Sequence, residues 1–387
     1  VSTAALGHRR LSIIDPGPQG LQPMRVPGTD TWITYNGEIY NYRELRAELE
    51  AAGHRFATAT DTEVILRAYL AWGPACFARF NGMWALAILD LKKRELILSR
   101  DRFGIKPLYL DRRGPNLAFA SEIKSLLHAR KPRLNPSAAK SFLTSYLVSH
   151  TADTFFEGIE AFPPAHYAVI SLTTPTSITP IRYWDYPTGR LDPSDAEATN
   201  AFKELFASSI DLHMRSDVPV GSCLSGGLDS SSIVCMARRI LGNASPFHTF
   251  TALFADKSID ESPWVKAVND ATHATPHHVT PTATDLLRDI DTLIWHQDEP
   301  FISTSIYAQW CVMQTAREAG IPVLLDGQGA DEILCGYKKF YIHYLKLLYA
   351  GRQFGAALRE TSGYLLHGDR TLFRLGDAQR YLPKALR

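Results

Sequence analysis

The residues best suited to chemistry lie near the middle of the chain, between a strand-like and a helix-like segment. The loop 225–230, Ser-Gly-Gly-Leu-Asp-Ser, follows the apolar run 218–224 and precedes the helix-like run 231–241. Glycines and small hydroxyl residues before a helix leave backbone N–H groups open to an anion, and the helix dipole favours negative charge there. The lysine of the common G-x-x-x-x-G-K-[ST] loop is missing, whereas Asp229 offers a carboxylate for Mg²⁺. The loop predicts a phosphate cradle; the alternative is a plain Gly-Ser turn.

A second glycine-rich loop, 326–332 with the sequence Asp-Gly-Gln-Gly-Ala-Asp-Glu, follows another strand-like run. Glycines at a strand end let the backbone approach a ligand closely. We expect Asp331 to share a Mg²⁺ ion with Asp229, because hard cations prefer carboxylate and phosphate oxygens. The alternative is an acidic turn that favours the dipole of the next helix. The apolar run 249–252 ends near the same predicted sheet edge, so the backbone at Ala252 is a candidate adenine contact as well as core.

A separate group of polar residues lies in the first half of the chain. An α-amino acid needs a cation for its carboxylate and an anion for its ammonium, and Arg10 and Asp61 can supply them. The amide of Asn36 and the N–H of Gly37 can form an oxyanion hole for acyl transfer. We expect Arg10 on a short strand, 8–13, and Asn36 and Gly37 at a strand-to-turn junction. The plainer alternatives are that Arg10 is a surface cation, Asp61 a helix cap and Asn36-Gly37 a hairpin turn.

Strand and helix patterns in the first half predict the elements that position this group. β-Branched and aromatic residues indicate strands, Asn41 and Asp61 indicate the N-caps of two helices, and Asn135-Pro136 indicates the start of another. Because strands and helices mix, we expect an α+β sandwich layered on helices. The predicted strands are 32–35, 83–90, 95–100 and 117–120, and the predicted helices are 42–52 and 62–72.

After a turn-rich stretch at 186–197, which predicts a linker, strands and helices alternate. The first helix carries apolar residues from Phe202 to Met214 on one face. The alternation predicts a parallel sheet with helices on both faces, and ligands of such sheets bind outside the carboxyl ends of the strands. The predicted strands are 218–224, 247–254, 277–279 and 322–326, and the predicted helices are 231–241, 261–272, 286–295 and 305–319.

Composition narrows the class of protein. The chain has 387 residues, of which 45% are hydrophobic and 21% charged, which is typical of a globular protein with two domains. A net charge of +1 without a basic stripe argues against nucleic-acid and membrane-surface partners. Five scattered cysteines with no C-x-x-C pair exclude a disulfide framework and a zinc site, and they predict a reducing, cytoplasmic location.

The central loop, S-G-G-x-D-S, resembles the pyrophosphate loop of the N-type ATP pyrophosphatases, which adenylate a substrate and release pyrophosphate. Taken with its other motifs, the chain resembles the glutamine-hydrolysing asparagine synthetase family. H-R-R-L-S-I-I-D, N-G-E-I-Y-N-Y, D-T-E-V-I, F-N-G-M-W-A-L-A-I-L-D, R-D-R-F-G-I-K-P-L-Y and A-S-E-I-K-S-L-L are similar to its class II amidotransferase domain. S-D-V-P-V-G-S-C-L-S-G-G-L-D-S-S and D-G-Q-G-A-D-E are similar to its synthetase domain. The motifs occur in the family's order over nearly the whole chain.

The resemblance implies a fold, domains and site residues. The fold would be an α+β N-terminal-nucleophile sandwich at 1–185, a linker at 186–197, and an α/β parallel-sheet ATP pyrophosphatase domain at 198–387. Ammonia would pass between the domains. Arg10 would hold the glutamine carboxylate, Asp61 its ammonium, Asn36 and Gly37 the oxyanion, and Glu38 would lie beside the substrate. Asp229 and Asp331 would bind Mg²⁺ and pyrophosphate. The implied ATP-site residues are Cys223, Leu224, Ser225, Gly226, Gly227, Asp229, Ser230, Ala252, Asp326 and Gly327.

The chain departs from the family pattern in three ways. The family's glutaminase nucleophile is an N-terminal cysteine several strands before H-R-R-L-S-I, whereas this sequence starts at Val1, just before that motif. A lysine used in adenylation would lie beyond Arg387. We therefore expect both family ends to be incomplete, the sequence as it stands not to hydrolyse glutamine, and Cys76 to be a core residue. Finally, Gln328 replaces a glutamate linked to the acyl-adenylate, and glutamine cannot act as a general base.

The main hypothesis is ATP-dependent amidation of aspartate through β-aspartyl-AMP, with ammonia from glutamine in the full-length protein. The expected ligands are glutamine, aspartate, ATP and Mg²⁺, and a homodimer stays open. A second enzyme hypothesis is adenylation of another carboxylate, as in the β-lactam synthetases and lasso-peptide cyclases. The retained Arg10, Asn36, Gly37 and Asp61 argue against it. A non-catalytic sensor of nucleotide or amino acid is the third hypothesis, and a complete Asp229 and Asp331 pair argues against it.

Overall fold

The computed structural model describes residues 4–128, 131–189, 191–256 and 260–367. The chain divides into two compact units, 1–325 and 326–387. Residues 1–3 and 368–387, where the predicted domains begin and end, lie outside the described residues. No helix in the described part of the chain is both long enough and apolar enough to span a bilayer.

An antiparallel sheet of six strands, in the order β1-β2-β3-β4-β8-β9, forms the centre of the first half. Its longest ladder joins β2 and β3 from Thr31 opposite Asp90 to Ile39 opposite Gly82. The inner strands are buried on both faces and consist largely of β-branched, aromatic and aliphatic residues, as strands enclosed on both sides require. The strands are β1 (Met24–Arg25), β2 (Thr31–Ile39), β3 (Gly82–Asp90), β4 (Glu95–Arg100), β8 (His166–Ser171) and β9 (Ile181–Arg182).

Each face of this sheet is covered by a different layer. One face carries a core with two helices, in which Leu45, Leu49 and Val64 pack with Ile33 and Trp84. The other face packs against a three-stranded sheet of order β6-β5-β7. The covering elements are α1 (Tyr42–Ala51), α2 (Asp61–Trp72), β5 (Tyr109–Arg113), β6 (Asn116–Ala120), β7 (Ile159–Ala161), α3 (Ile123–Leu127), α4 (Pro136–Ser145) and the 3-10 helices Pro18–Gly20 and Gly73–Arg79. A sandwich of sheets layered on helices is therefore confirmed.

Two local predictions about the site region are wrong. Residues 8–13 form no strand, because the guanidinium of Arg10 bonds backbone carbonyls of the following turn. Asn36 and Gly37 lie inside β2 instead of at a turn, since β3 pairs with β2 as far as Gly82.

Of the two predicted caps, Asn41 is the N-cap residue of α1 as expected, and the cap at Asp61 is wrong. The side chain of Asn41 bonds the backbone of Arg79 and Asn81 and makes no cap bond to α1. For α2, the N-cap is Thr60, whose hydroxyl accepts the N–H of Glu63.

A four-stranded parallel sheet of order β12-β11-β10-β13 confirms the expected architecture of the second half. Apolar side chains of α5, α6 and α7 cover one face, and those of α9 cover the other. The strands are β10 (Val220–Cys223), β11 (His248–Ala252), β12 (Thr275–Val279) and β13 (Val323–Leu325). The helices are α5 (Asp195–His213), α6 (Leu228–Leu241), α7 (Ser262–Thr272), α8 (Ala283–Gln297) and α9 (Ser305–Glu318).

Several boundaries differ from the sequence prediction by a few residues, including the starts of α5 and α6. Helix α5 begins at Asp195, with Ser194 and Glu197 forming a capping box, so the last three residues of the predicted linker are helical. Helix α6 begins at Leu228, three residues earlier than predicted.

The second unit is helical over its described residues. Its helices are α10 (Ala330–Leu334), α11 (Lys338–Ala350) and α12 (Phe354–His367). Helices α11 and α12 are joined by Tyr341, whose ring stacks on Tyr364 with centroids 4.8 Å apart and whose hydroxyl donates to the carbonyl of Glu360 at 2.7 Å.

Candidate functional site

A cavity of about 840 Å³ opens in the first half of the chain. It is lined by the segment 7–14, the middle of β2, the start of α2 and the segment 119–125 that leads into α3. Five residues predicted from the sequence line this one cavity: Arg10, Asn36, Gly37, Glu38 and Asp61. Residues up to 51 positions apart along the chain thus share one concave surface, which is the usual setting of a small-molecule site.

Arg10 is held rigidly at the cavity wall. Its Nη1 donates to the carbonyl of Gly17 at 3.0 Å, and its Nη2 donates to the carbonyls of Ile14 at 2.7 Å and Asp15 at 2.8 Å. These bonds use three of the five guanidinium donors. A guanidinium fixed in this way loses little further freedom when it binds a carboxylate.

Asn36 and Gly37 are adjacent residues of β2 at the cavity. The side-chain nitrogen of Asn36 donates to the hydroxyl of Ser121 at 3.3 Å. Gly37 has φ +155°, and a β-carbon there would lie 2.1 Å from the carbonyl oxygen of Met83. Only glycine fits this position, so the strand can pass close to β3 while the amide of Asn36 stays at the cavity.

Two buried carboxyl groups lie next to each other in the cavity wall. Asp61 is 6% exposed and Glu38 is 5% exposed. Oδ2 of Asp61 accepts the hydroxyl of Tyr35 at 3.0 Å and the N–H of Ile39 at 3.1 Å. Burial raises the pKa of Asp61 despite these bonds. Burial, and then the negative charge of Asp61, raises the pKa of Glu38 to about 8.

Lys106 is a cavity residue that sequence reasoning missed. It lines the cavity, and its positive charge partly offsets the rise in the pKa of Glu38. Burial lowers the pKa of Lys106, while Glu38 and Asp101 oppose that shift. Its place inside the quoted motif R-D-R-F-G-I-K-P-L-Y was the only available signal, because no local pattern brings residue 106 to β2.

Cys76 does not belong to this cavity. Its side chain is fully buried in the core beneath α2, and burial raises the pKa of its thiol. The prediction that Cys76 is a core residue is confirmed. None of the described residues that line the cavity is a cysteine.

The loop after β10 has the shape of an anion cradle. Gly227 is the N-cap residue of α6, so the N–H groups of the first helical turn point out of the loop. The hydroxyl of Ser230 accepts the N–H of Ser225 at 3.2 Å, and the hydroxyl of Ser225 accepts the N–H of Gly227 at 3.2 Å. Asp229 lies in the first turn of α6, where the helix dipole favours negative charge.

Gly226 lets this loop turn tightly against α7. Its φ is +87°, and a β-carbon would lie 3.1 Å from both the carbonyl oxygen of Glu261 and the Cβ of Trp264. Any larger residue would combine an unfavourable backbone conformation with crowding.

The strand ends beside the cradle carry the other predicted nucleotide residues of the first unit. Cys223 ends β10, Leu224 donates its N–H to the carbonyl of Phe250 at 2.9 Å, and Ala252 ends β11. The hydroxyl of Thr251 donates to the carbonyl of Leu224 at 2.6 Å. Cys223, Leu224 and Ala252 therefore lie at the carboxyl edge of the parallel sheet, where such folds bind ligands.

The predicted loop residues Asp326, Gly327, Gln328 and Asp331 belong to the second unit. Within it, the N–H of Gln328 donates to Oδ1 of Asp326 at 3.3 Å, and Asp331 lies in the first turn of α10. The described residues contain no group of three or more His, Cys, Asp or Glu side chains arranged to hold a metal ion. A metal held by Asp229 would take phosphate oxygens and water among its ligands, as Mg²⁺ commonly does.

Comparisons with known proteins match both halves of the chain. Residues 1–184 match a family described as a glutamine amidotransferase domain, and residues 201–383 match one described as asparagine synthase. The putative glutamine-hydrolysing asparagine synthetase 2 of Methanocaldococcus jannaschii is 35% identical over 86% of this chain and 66% of its own length. The glutamine-hydrolysing asparagine synthetase 3 of Bacillus subtilis is 31% identical over 87% and 56%, respectively.

A relative with another name is also similar: amidase chry2 of Gibberella zeae is 30% identical over 87% of this chain and 51% of its own length. The chain thus spans between about half and two thirds of the length of these relatives. The two matching domains, their order and the similarity across both halves show that the chain belongs to the glutamine-hydrolysing asparagine synthetase family.

Proposed function

We propose that the full-length protein converts aspartate to asparagine, with ATP as the activating substrate and glutamine as the nitrogen donor. The observation that best supports the glutamine-hydrolysing half-reaction is the pair of buried carboxyl groups, Glu38 and Asp61, in a cavity that also contains Arg10. Burial raises the pKa of both carboxyl groups, and a positive charge placed beside them would oppose that shift. A ligand ammonium would supply that charge.

In this proposal glutamine binds with its α-carboxylate on Arg10 and its ammonium on Asp61. The arriving cation would lower the pKa of Asp61, and the carboxylate would in turn hold the ammonium by charge and hydrogen bonding. Glu38 would lie beside the bound amino acid. As the side-chain amide is attacked, negative charge would develop on its oxygen and be stabilised by the Asn36 side chain and the Gly37 N–H. The attacking group in the full-length protein would be the N-terminal cysteine that the family resemblance implies. Its sulfur bonds the amide carbon, the C–N bond breaks as the intermediate collapses and ammonia leaves, and water then hydrolyses the glutamyl thioester to glutamate.

The nucleotide half uses the cradle at 225–230. A β-carboxylate oxygen of aspartate attacks the α-phosphorus of ATP, the bond to the bridging oxygen breaks, and pyrophosphate leaves. Ammonia then attacks the acyl carbon and AMP leaves with the electron pair of the broken C–O bond. The first-turn N–H groups of α6 and the hydroxyls of Ser225 and Ser230 would hold the pyrophosphate oxygens. The contacts of Cys223, Leu224 and Ala252 with the nucleotide are part of the same proposal.

Asp229 would hold Mg²⁺, which neutralises phosphate charge when it is bound. In the second unit, Asp331, Asp326 and Gly327 keep the roles that the family resemblance implies, and Gln328 takes the place of the family's glutamate. The second candidate function is adenylation of a carboxylate other than that of aspartate, which would leave the adenylation chemistry unchanged.

Isotope exchange between pyrophosphate and ATP in the full-length protein tests the nucleotide half. We expect exchange that requires Mg²⁺ and aspartate and that falls at least 100-fold in Asp229→Asn. Asp270→Asn, an exposed partner of Lys266 on α7, is the matched control and should keep full exchange. Exchange driven only by another carboxylate would support the cyclase-like alternative. If none of the carboxylates tested drives exchange, the sensor hypothesis remains.

Nitrogen-source dependence tests the glutamine half. With glutamine, Asp61→Asn should reduce asparagine formation at least 100-fold, because the ammonium loses its counter-charge. With added ammonia, the same variant should retain at least half of the unaltered rate. Equal losses with both nitrogen sources would contradict a glutamine-binding role for Asp61.

A further inference from the structure

Asp15 bonds Arg10, the turn that precedes Asp61, and a residue from the second half of the chain. Its carbonyl accepts Nη2 of Arg10 at 2.8 Å, and its Oδ2 accepts the N–H of Ala59 at 2.9 Å. Its own N–H donates to Oδ2 of Asp217 at 2.7 Å. Its carbonyl, carboxylate and N–H are thus all used in these contacts.

The backbone of Asp15 is held in an uncommon conformation. Its φ is +49°, in the left-handed region that L-residues other than Asn and Asp seldom adopt. This conformation turns the chain so that the carbonyls of Ile14 and Asp15 both accept from Nη2 of Arg10. Asp15 therefore fixes the position of the guanidinium.

The same residue fixes the turn that leads to Asp61. Ala59 lies two positions before Asp61, and the intervening Thr60 is the N-cap of α2. The carboxylate of Glu63 accepts the N–H groups of Ala57 and Thr58, which completes the turn. The bond from Ala59 to Asp15 is the contact that ties this turn to the turn holding Arg10.

Asp217 connects this arrangement to the nucleotide half. Its N–H donates to the carbonyl of Ile13 at 3.1 Å, so residues 13 and 15 are bonded to a single residue. Asp217 precedes β10 by three positions, and β10 leads directly to the cradle at 225–230.

We propose that Asp15 is a positioning residue that holds Arg10 and Asp61 at the separation required by an α-amino acid, and that Asp217 anchors it. This inference rests on the proposed glutamine site and names a residue beyond it. Asp15 acts through Arg10 and Asp61 and does not itself contact the ligand. Its effect is therefore specific: it sets how well the cavity recognises carboxylate and ammonium together.

Calorimetric binding of two ligands to the chain tests this role: L-glutamine, and glutaramate, which lacks the α-amino group. We expect the unaltered chain to prefer glutamine at least tenfold. Asp15→Ala removes the acceptor for Ala59 and should weaken glutamine binding about tenfold while leaving glutaramate binding within twofold to threefold. Asp15→Asn keeps a carbonyl oxygen as acceptor and tolerates the left-handed backbone, so it should restore glutamine binding to within threefold of the unaltered chain.

Asp217→Ala should shift the preference in the same direction as Asp15→Ala, and Asp270→Ala should not. If Asp15→Ala binds both ligands as the unaltered chain does, the positioning role is overturned while the glutamine site stands. If it weakens both ligands equally and lowers the melting temperature, Asp15 is merely structural and the proposal fails. An unaltered chain that binds neither ligand would overturn the proposed glutamine site itself, and this inference with it.

Discussion

Glu38 and Asp61 show how a cavity wall changes the acidity of ordinary side chains. Both are almost fully buried, and their negative charges oppose each other. In the unfolded chain Glu38 titrates near 4.5, whereas in the folded chain its pKa is about 8. Between these values the folded protein binds more protons than the unfolded protein, so its stability falls as pH rises.

The fall of stability with rising pH gives a prediction for Glu38→Gln. In the unaltered chain, the Glu38 contribution to the free energy of unfolding should fall by up to ~1.4 kcal/mol per pH unit between pH 4.5 and 8 and level off above that. Removal of the titrating group should flatten this part of the profile. Denaturant unfolding at half-unit pH steps measures it for both proteins. Parallel profiles would contradict the raised pKa.

The proposed oxyanion hole requires glycine at position 37. A β-carbon there collides with the Met83 carbonyl oxygen, so Gly37→Ala should destabilise the fold by about 3 kcal/mol or more. Gly53→Ala is the matched control, because Gly53 also has a positive φ, +92°, but has open space around its Cα. It should cost only ~1 kcal/mol. Chemical unfolding of the two variants makes the comparison, and equal losses would refute the collision.

At the scale of elements, helix α2 depends on a cap that the sequence pattern did not identify. Thr60→Ala should lower the free energy of unfolding by about 1 kcal/mol, because the N–H of Glu63 loses its acceptor. Thr60→Ser keeps the hydroxyl and should recover most of that loss. Thermal and urea unfolding measure both, and a Thr60→Ala protein as stable as the unaltered one would contradict the cap.

The elements that could be predicted are those whose pattern is local. The parallel strands and their helices alternate in sequence as they do in space, and β3 and β4 have continuous apolar runs, so most were predicted within a few residues. Strands β7 and β9 have three and two residues, too few for a local pattern, and β7 pairs with β5 far away in sequence. Strand β5 pairs with the neighbouring β6 in a hairpin, but its charged residues hide the pattern of a strand.

The site residues follow the same division. Residue chemistry selected Arg10, Asn36, Gly37 and Asp61, the family resemblance added Glu38, and the cavity brings these residues together. Spacing could not show that the Asp61 carboxylate turns away from its helix toward Tyr35 and Ile39, since that contact requires β2 to be in place. Lys106 and Asp15 were missed for the same reason: their partners are distant in sequence.

At the scale of the whole first unit, acidic residues from the second half bind backbone and basic groups of the first half. Oδ2 of Asp298 accepts the N–H of Ile123 at 2.8 Å, and Oδ1 contacts Nζ of Lys124 at 3.0 Å. The Asp298 and Lys124 side chains are only 10% and 11% exposed. Next to them, the Glu299 carboxylate accepts the N–H of Phe155 at 2.7 Å.

Asp298→Ala should therefore destabilise the first unit by about 3 kcal/mol, because the nearly buried Lys124 keeps only the exposed Glu122 as a counter-charge and the N–H of Ile123 loses its acceptor. The double variant Asp298→Ala/Lys124→Met should recover part of that loss. Urea unfolding of the single and double variants gives the coupling energy, and additive losses would show that the pair does not interact.

These contacts also limit how freely the two halves can be exchanged between relatives. Glu44 with Arg215, Asp15 with Asp217 and Lys124 with Asp298 pair residues on opposite sides of the stretch 186–194. A chimera joined in that stretch inherits one member of each pair from each parent. Recombination there should therefore be least costly between parents that keep Asp217 and the pairs Glu44 with Arg215 and Lys124 with Asp298, although the stretch itself is polar and turn-rich.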